Sequence, residues 1–219
     1  MHWFLTLLYH ESLLVLRSGK DVALMLGFAL IALSLMALMA DPAWLHEAAA
    51  AMIWREVLFS VLLMIERIFQ DDHDSGRLDA LLTQPIPCWI IVLAKAVGFW
   101  LRTGFSMILS TPLAVIFLQL PFAVLPELLA SLVLGTLILC LFATTGAALA
   151  LGARQPILLV MVLVLPLLIP VVIFGALILE RSLGGHEVTG TFLWLGVCFC
   201  LALACVPFGA MALNARTLQ

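Results

Sequence analysis

The sequence predicts an all-α integral membrane protein of six transmembrane helices, preceded by a helix lying along the membrane surface. Three observations predict it. Of 219 residues, 65% are hydrophobic and 11% charged, whereas soluble domains carry roughly a quarter charged residues. The apolar residues gather into six runs, each able to cross a bilayer core that takes about 20 helical residues. One long polar interval, Glu66 to Trp89, separates two of these runs and must therefore lie in water on one face. A net charge of −3 with no basic tail or cluster argues against nucleic acid as a partner. The whole chain, 1–219, reads as a single transmembrane domain.

Met1 to Gly19 places Trp3, Phe4, Leu7, Leu8, Leu14 and Val15 on one side, interrupted by His10, Glu11 and Arg17. That is the pattern of an interfacial helix, and it lacks the basic start and small-residue cleavage site of a removable signal. The first span, Val22 to Ala40, is opened by Lys20-Asp21 and closed by Asp41-Pro42. The second, Ala48 to Phe69, carries Arg55-Glu56 inside it. The third, Cys88 to Leu118, exceeds the need of a bilayer, so it must tilt, extend beyond the membrane or bend near Pro112. The fourth, Leu128 to Ala150, has Gly135, Gly146 and several small residues that permit close helix packing. In the fifth, Ile157 to Leu179, Pro166 and Pro170 break the backbone ladder one turn apart. The expectation is a bend facing protein or water, with the chain beyond it, through the Glu180–Gly190 loop, folding back at the surface. Thr191 to Leu213 is the sixth.

Orientation follows from the basic residues. Arg17, Lys20, Arg67, Arg77, Arg154 and Arg216 fall on one face and Arg181 on the other. The positive-inside rule then puts both termini and the polar loop in the cytoplasm. Trp3 and Trp89 would mark the inner interface, Trp44 and Trp194 the outer.

Charges within the spans need partners. Lys95, Gly98, Arg102, Ser106 and Ser110 recur every three or four residues and form one polar stripe on the third span. Counting equal depths from Trp89 and Phe69 pairs Arg102 with Glu56 on the second span, and Lys95 with Glu66. The competing reading leaves Arg55 and Glu56 at the outer interface beside Trp54.

The chemistry of common enzymes is missing. No GxxxxGK[ST] loop, HExxH pair or GxSxG elbow occurs, so no catalytic residue and no directly bound cofactor or metal is expected. His46 and His186 fall in expected outer loops, where a metal or haem iron could be ligated; a solvated or interfacial histidine is the favoured reading for each. The cysteines at 88, 140, 198, 200 and 205 lack a CxxC and read as buried thiols. Within the polar loop, Ser75 to Leu82 forms a short helix with Leu78, Leu81 and Leu82 on one side, ended by Gln84-Pro85-Ile86-Pro87. Asp71, Asp72, Asp74 and Asp79 crowd its approach. Such a helix suits a groove on a soluble partner, and a solvated connector fits the same residues.

The order Glu66-Arg67, Phe69, Asp71-Asp72, Gly76, Leu78, Leu82, Pro85, Pro87 and Leu93-Ala94-Lys95 resembles the haem exporter B family, CcmB. Leu134-Gly135-Thr136, LVLPLLIPVVIF from Leu163 and Pro207-Phe208 resemble it too. The likeness covers residues 53 to 219. It implies the six-helix fold of ABC-2 type exporters and makes Asp71, Asp72, Asp74, Gly76, Leu78, Leu81 and Leu82 the contact with a separate cytoplasmic ATPase, which holds the ATP. It further implies a haem-handling membrane protein, a small single-span subunit, a second copy of the chain and a periplasmic haem chaperone as partners. Placement in a bacterial inner membrane follows, with haem as the cargo or haem-loaded chaperone as the released product. Two other readings share this architecture: a platform that transmits ATPase strokes without moving substrate, and an exporter of lipid or drug. Arg55, Glu56 and Arg102 stand where the family pattern is apolar, and only Arg154 is basic in the Ala153–Pro156 turn.

Overall fold

In hydrocarbon a chain must satisfy its own backbone donors and acceptors, which leaves these apolar runs the helix. A computed structural model describes residues 19–39, 42–65, 68–69, 76, 81, 83, 86–151, 153 and 155–216. Among them are six α-helices and no strand: α1 Gly19–Met39, α2 Pro42–Met64, α3 Cys88–Phe117, α4 Leu125–Ala150, α5 Pro156–Leu183 and α6 Thr189–Arg216. The surface helix expected before residue 20 and most of the polar loop lie outside the described residues.

Proline sets several starts. Pro87 precedes α3, and Pro126 and Pro156 open α4 and α5, where a missing backbone donor costs nothing. The apolar segments Cys88–Phe117, Phe122–Ala150, Leu158–Leu183 and Thr189–Ala215 are long and apolar enough to cross a membrane. α1 has 21 residues and α2 has 23, and α2 holds Glu47, Arg55 and Glu56.

Two turns close in the same way. After α3, Gln119 takes a left-handed φ of 53°. Its N–H donates to the Ile116 carbonyl (3.2 Å), and that of Leu120 donates to Val115 (2.9 Å). After α5, Gly185 (φ 67°) donates to Ser182 at 3.1 Å, and His186 donates to Arg181 at 2.9 Å. Each pair of crossed bonds satisfies carbonyls that the ending helix leaves open. Leu120 and Val115, the two positions this motif brings together, are both buried.

α5 corrects one expectation. The helix runs unbroken through Pro166 and Pro170 to Leu183, so nothing folds back after Leu179. The two prolines remove single backbone bonds, and the intact ladder on either side carries the helix past them. Pro166 lies on the exposed side and Pro170 is half-buried, while Val164, Leu168, Val171 and Ile178 make the buried side. Pro112 in α3 is likewise accommodated within a continuous helix.

α4 is the hub. It packs along α3, α5 and α6 and is the most buried of the long apolar segments. Its small residues make this possible: Ala143, Thr144, Ala147 and Ala148 are buried in succession, and a Cβ on Gly146 would strike the Val164 side chain. α1 packs chiefly on α3, and α2 chiefly on α5.

Candidate functional site

Two regions carry polar groups that the apolar bundle does not need: the charged positions of α2 and α3, and the loop that joins them.

On α2, Trp54 is fully buried and its indole lies over Gly135 of α4 and Gly175 of α5; a Cβ on either glycine would run into the ring. This fixes how far α2 rotates. Glu56 consequently faces inward, 4% exposed, while Arg55 is half-exposed beside it. Arg55 bends back along the helix and donates to Glu56 Oε1 from Nη2 at 2.7 Å and from Nε at 3.3 Å. Adjacent residues on a helix do not normally face each other, so the contact depends on the length of the arginine side chain.

Glu56 does not meet Arg102. Ser60 donates to Met107 Sδ at 3.6 Å, and Glu56, one turn from Ser60, shares a cavity with Ser110 and Thr111 of α3. Arg102 stands two turns from Ser110 on α3, roughly 12 Å along the helix axis at 1.5 Å per residue. Among the described residues the Glu56 carboxylate is bonded to Arg55 alone. Periodicity identified the faces of both helices, but their axial offset differs from equal depths counted from Trp89 and Phe69. Glu66 lies outside the described residues. Lys95 is buried, Arg102 is half-buried, and each has an interaction of its own.

The stripe on α3 faces protein: Lys95, Gly98, Ser106 and Ser110 are all buried. Its hydroxyls are satisfied within the helix. Ser106 donates to the Arg102 carbonyl at 2.6 Å, Ser110 to that of Met107 at 2.8 Å, and Thr111 to the same Met107 oxygen at 3.0 Å. Thr103 donates to the Phe99 carbonyl and lies 3.3 Å from Cys140 Sγ. Trp100 Nε1 donates across to Thr136 Oγ1 of α4 at 3.0 Å. These cross-helix bonds, absent from any motif, could be found in sequence only as Trp and Thr on the buried sides of two spans.

Of the loop residues expected to contact an ATPase, Asp71, Asp72, Asp74, Leu78 and Leu82 lie outside the described residues. Gly76 is exposed with φ 68°, a left-handed turn that disfavours any side chain. Leu81 is helical, half-buried and packed against the chain's own core.

His186 is exposed in the α5–α6 connection, and the backbone of His46 lies in the first turns of α2. Among the described residues no group of His, Cys, Asp and Glu could hold a metal ion. All five cysteines are free; Cys140 is buried, whereas Cys200 is exposed. Near the α5–α6 turn, Phe174 and Trp194 stack with centroids 5.8 Å apart and planes 9° from parallel.

Comparison with known proteins gives one consistent result. A family model described as "CcmB protein" matches residues 2–216, so the likeness extends to the N-terminal region as well as to the part from residue 53. Heme exporter protein B of Pseudomonas aeruginosa is 37% identical over 211 residues, covering 95% of each chain. The Paracoccus denitrificans protein of that name is 38% identical over 208 residues, 94% of this chain and 95% of its own. The Escherichia coli K12 protein of that name is 31% identical over 204 residues, 92% of this chain and 93% of its own.

Proposed function

Because the chain belongs to the CcmB family of heme exporter B proteins, we propose that it is the membrane subunit of an ABC-type complex acting in cytochrome c maturation. A separate cytoplasmic ATPase hydrolyses ATP, and this chain couples that hydrolysis to haem export or to release of haem-loaded chaperone. The chain itself is not an enzyme. All six helices cross the bacterial inner membrane, with residues 1–19 along its surface and both termini in the cytoplasm, as the distribution of basic residues favours.

One observation carries the coupling role. Between α2 and α3 the sequence inserts its only long polar interval, in which acidic residues precede Leu78, Leu81 and Leu82 at helical spacing. Gly76, within that interval, has a left-handed φ of 68°, which is a turn and not helix. Two helical turns are too short to persist alone in water, and a groove on the ATPase supplies the missing contacts through Leu78 and Leu82. A second copy of the chain supplies the other half of the transporter, since such complexes set two ATP sites against two membrane halves. The haem-handling membrane protein and the small single-span subunit complete the complex.

In reconstituted complex, haem should stimulate ATP hydrolysis if haem or its chaperone is handled, and leave it unchanged in a platform of another purpose. Leu78→Asp or Leu82→Asp should abolish co-purification of the ATPase while the chain still inserts. Undiminished co-purification and activity in both variants would remove the coupling role.

A further inference from the structure

The cavity beside Glu56 is chemically one-sided. It lies where α1, α2, α3 and α4 meet, lined by Ala29, Glu56, Ser110, Thr111 and Leu132 among others. It lies about 11 Å along the helices from the α3–α4 turn at 1.5 Å per residue, and it is partly open. Glu56 Oε1 is taken by Arg55. Its other oxygen, Oε2, is buried, and no donor among the described residues reaches it. Ser110 and Thr111 have both committed their hydroxyl protons to the Met107 carbonyl, so what remains to them is oxygen lone pairs. The polar lining therefore offers acceptors and no donor.

We propose that this cavity is a binding site for a single water molecule, which donates one hydrogen to Glu56 Oε2 and the other to the Ser110 or Thr111 hydroxyl oxygen. The volume, about 20 Å³, is the room one water needs, and three oxygens give it the two to four partners a buried water requires. A metal cation would also seek oxygens. It would, however, add a positive charge where Arg55 already balances Glu56, and an unbalanced charge within the apolar bundle is the costly case. A neutral molecule with two donors matches the lining in both charge and hydrogen bonding.

The site is testable because Met107 lines it. Pulsed X-ray radiolysis converts a bound water into hydroxyl radical in place, and an adjoining thioether is its readiest target. Met52 and Met64 are as buried as Met107 and are not among the residues lining the cavity, so they serve as internal controls. With the full chain in lipid nanodiscs and heavy-oxygen water as solvent, Met107 should be oxidised several-fold faster than either and should carry the heavy label. Glu56→Leu, and separately Ser110→Ala with Thr111→Val, should bring Met107 down to the control rate. The second variant keeps Arg55 and Glu56 in place and guards against loss of folding in the first. Met107 oxidised no faster than Met52 and Met64 would overturn the proposal, as would fast oxidation that survives both variants. A melting temperature that follows sodium or potassium at constant ionic strength would assign the site to a cation and overturn it equally.

Discussion

At the scale of single residues, Trp54 decides more than any charge. Its indole occupies space that only the absence of a side chain on Gly135 and Gly175 provides, so three helices are keyed together at one point. Gly175→Ala or Gly135→Ala should destabilise the chain by about 1–3 kcal/mol, the usual cost of overfilling a packed interior. Gly196 is the control, since nothing lies within 4 Å of a Cβ built there; Gly196→Ala should fall within about 0.5 kcal/mol of the parent. Thermal unfolding of the three variants in one detergent checks this. Gly135 was visible in the sequence as one of the small residues that let α4 pack closely. Trp54 was not visible as its partner, because a tryptophan next to Arg-Glu reads equally well as an interface anchor. The Glu56–Arg102 pairing failed for a related reason. Periodicity says which residues share a helix face, but the sliding of one helix along another depends on loop geometry and packing that no spacing encodes.

At the scale of elements, two helix starts were legible, Cys88 for α3 and Ile157 for the α5 that begins at Pro156, whereas α2 runs Pro42–Met64 against an expected Ala48–Phe69. Proline has one geometry and no donor, so Pro87 and Pro156 announce the starts of α3 and α5 in the sequence itself. The interiors were less legible. Pro166 and Pro170 promised a fold-back after Leu179, yet α5 is continuous to Leu183 because neighbouring backbone bonds outvote two missing ones. The crossed bonds after α3 and α5 invite a paired test. Gln119 holds a left-handed φ that Gly185 holds freely. Gln119→Gly should stabilise the chain by about 0.5–1 kcal/mol, and Gly185→Ala should cost about 1 kcal/mol. Opposite shifts in unfolding temperature would confirm that the two turns are equivalent; shifts of the same sign would show that they are not.

At the scale of the whole molecule, the hub position of α4 means that chain order and packing order differ. α1 waits for α3, and α2 waits for α5, which is made nearly a hundred residues later. On the proposed six-span arrangement, α2 resides in the membrane until then without its chief packing partner. An isolated arginine deep in a span costs about 2.5–3.5 kcal/mol on insertion scales. In chains truncated after Ile86 and followed by glycosylation mapping, Glu56→Leu should therefore lower the inserted fraction of α2. Arg55→Leu combined with Glu56→Leu should restore it. Equal insertion of all three would refute this account. The closeness of Arg55 and Glu56 in sequence thus acquires a meaning that the finished bundle conceals. A salt bridge between different helices exists only after assembly, whereas one between neighbours on the same turn is present as soon as the helix is. α2 leaves the ribosome with its counterion already aboard, and biogenesis, more than the mature fold, is the stage at which that adjacency counts.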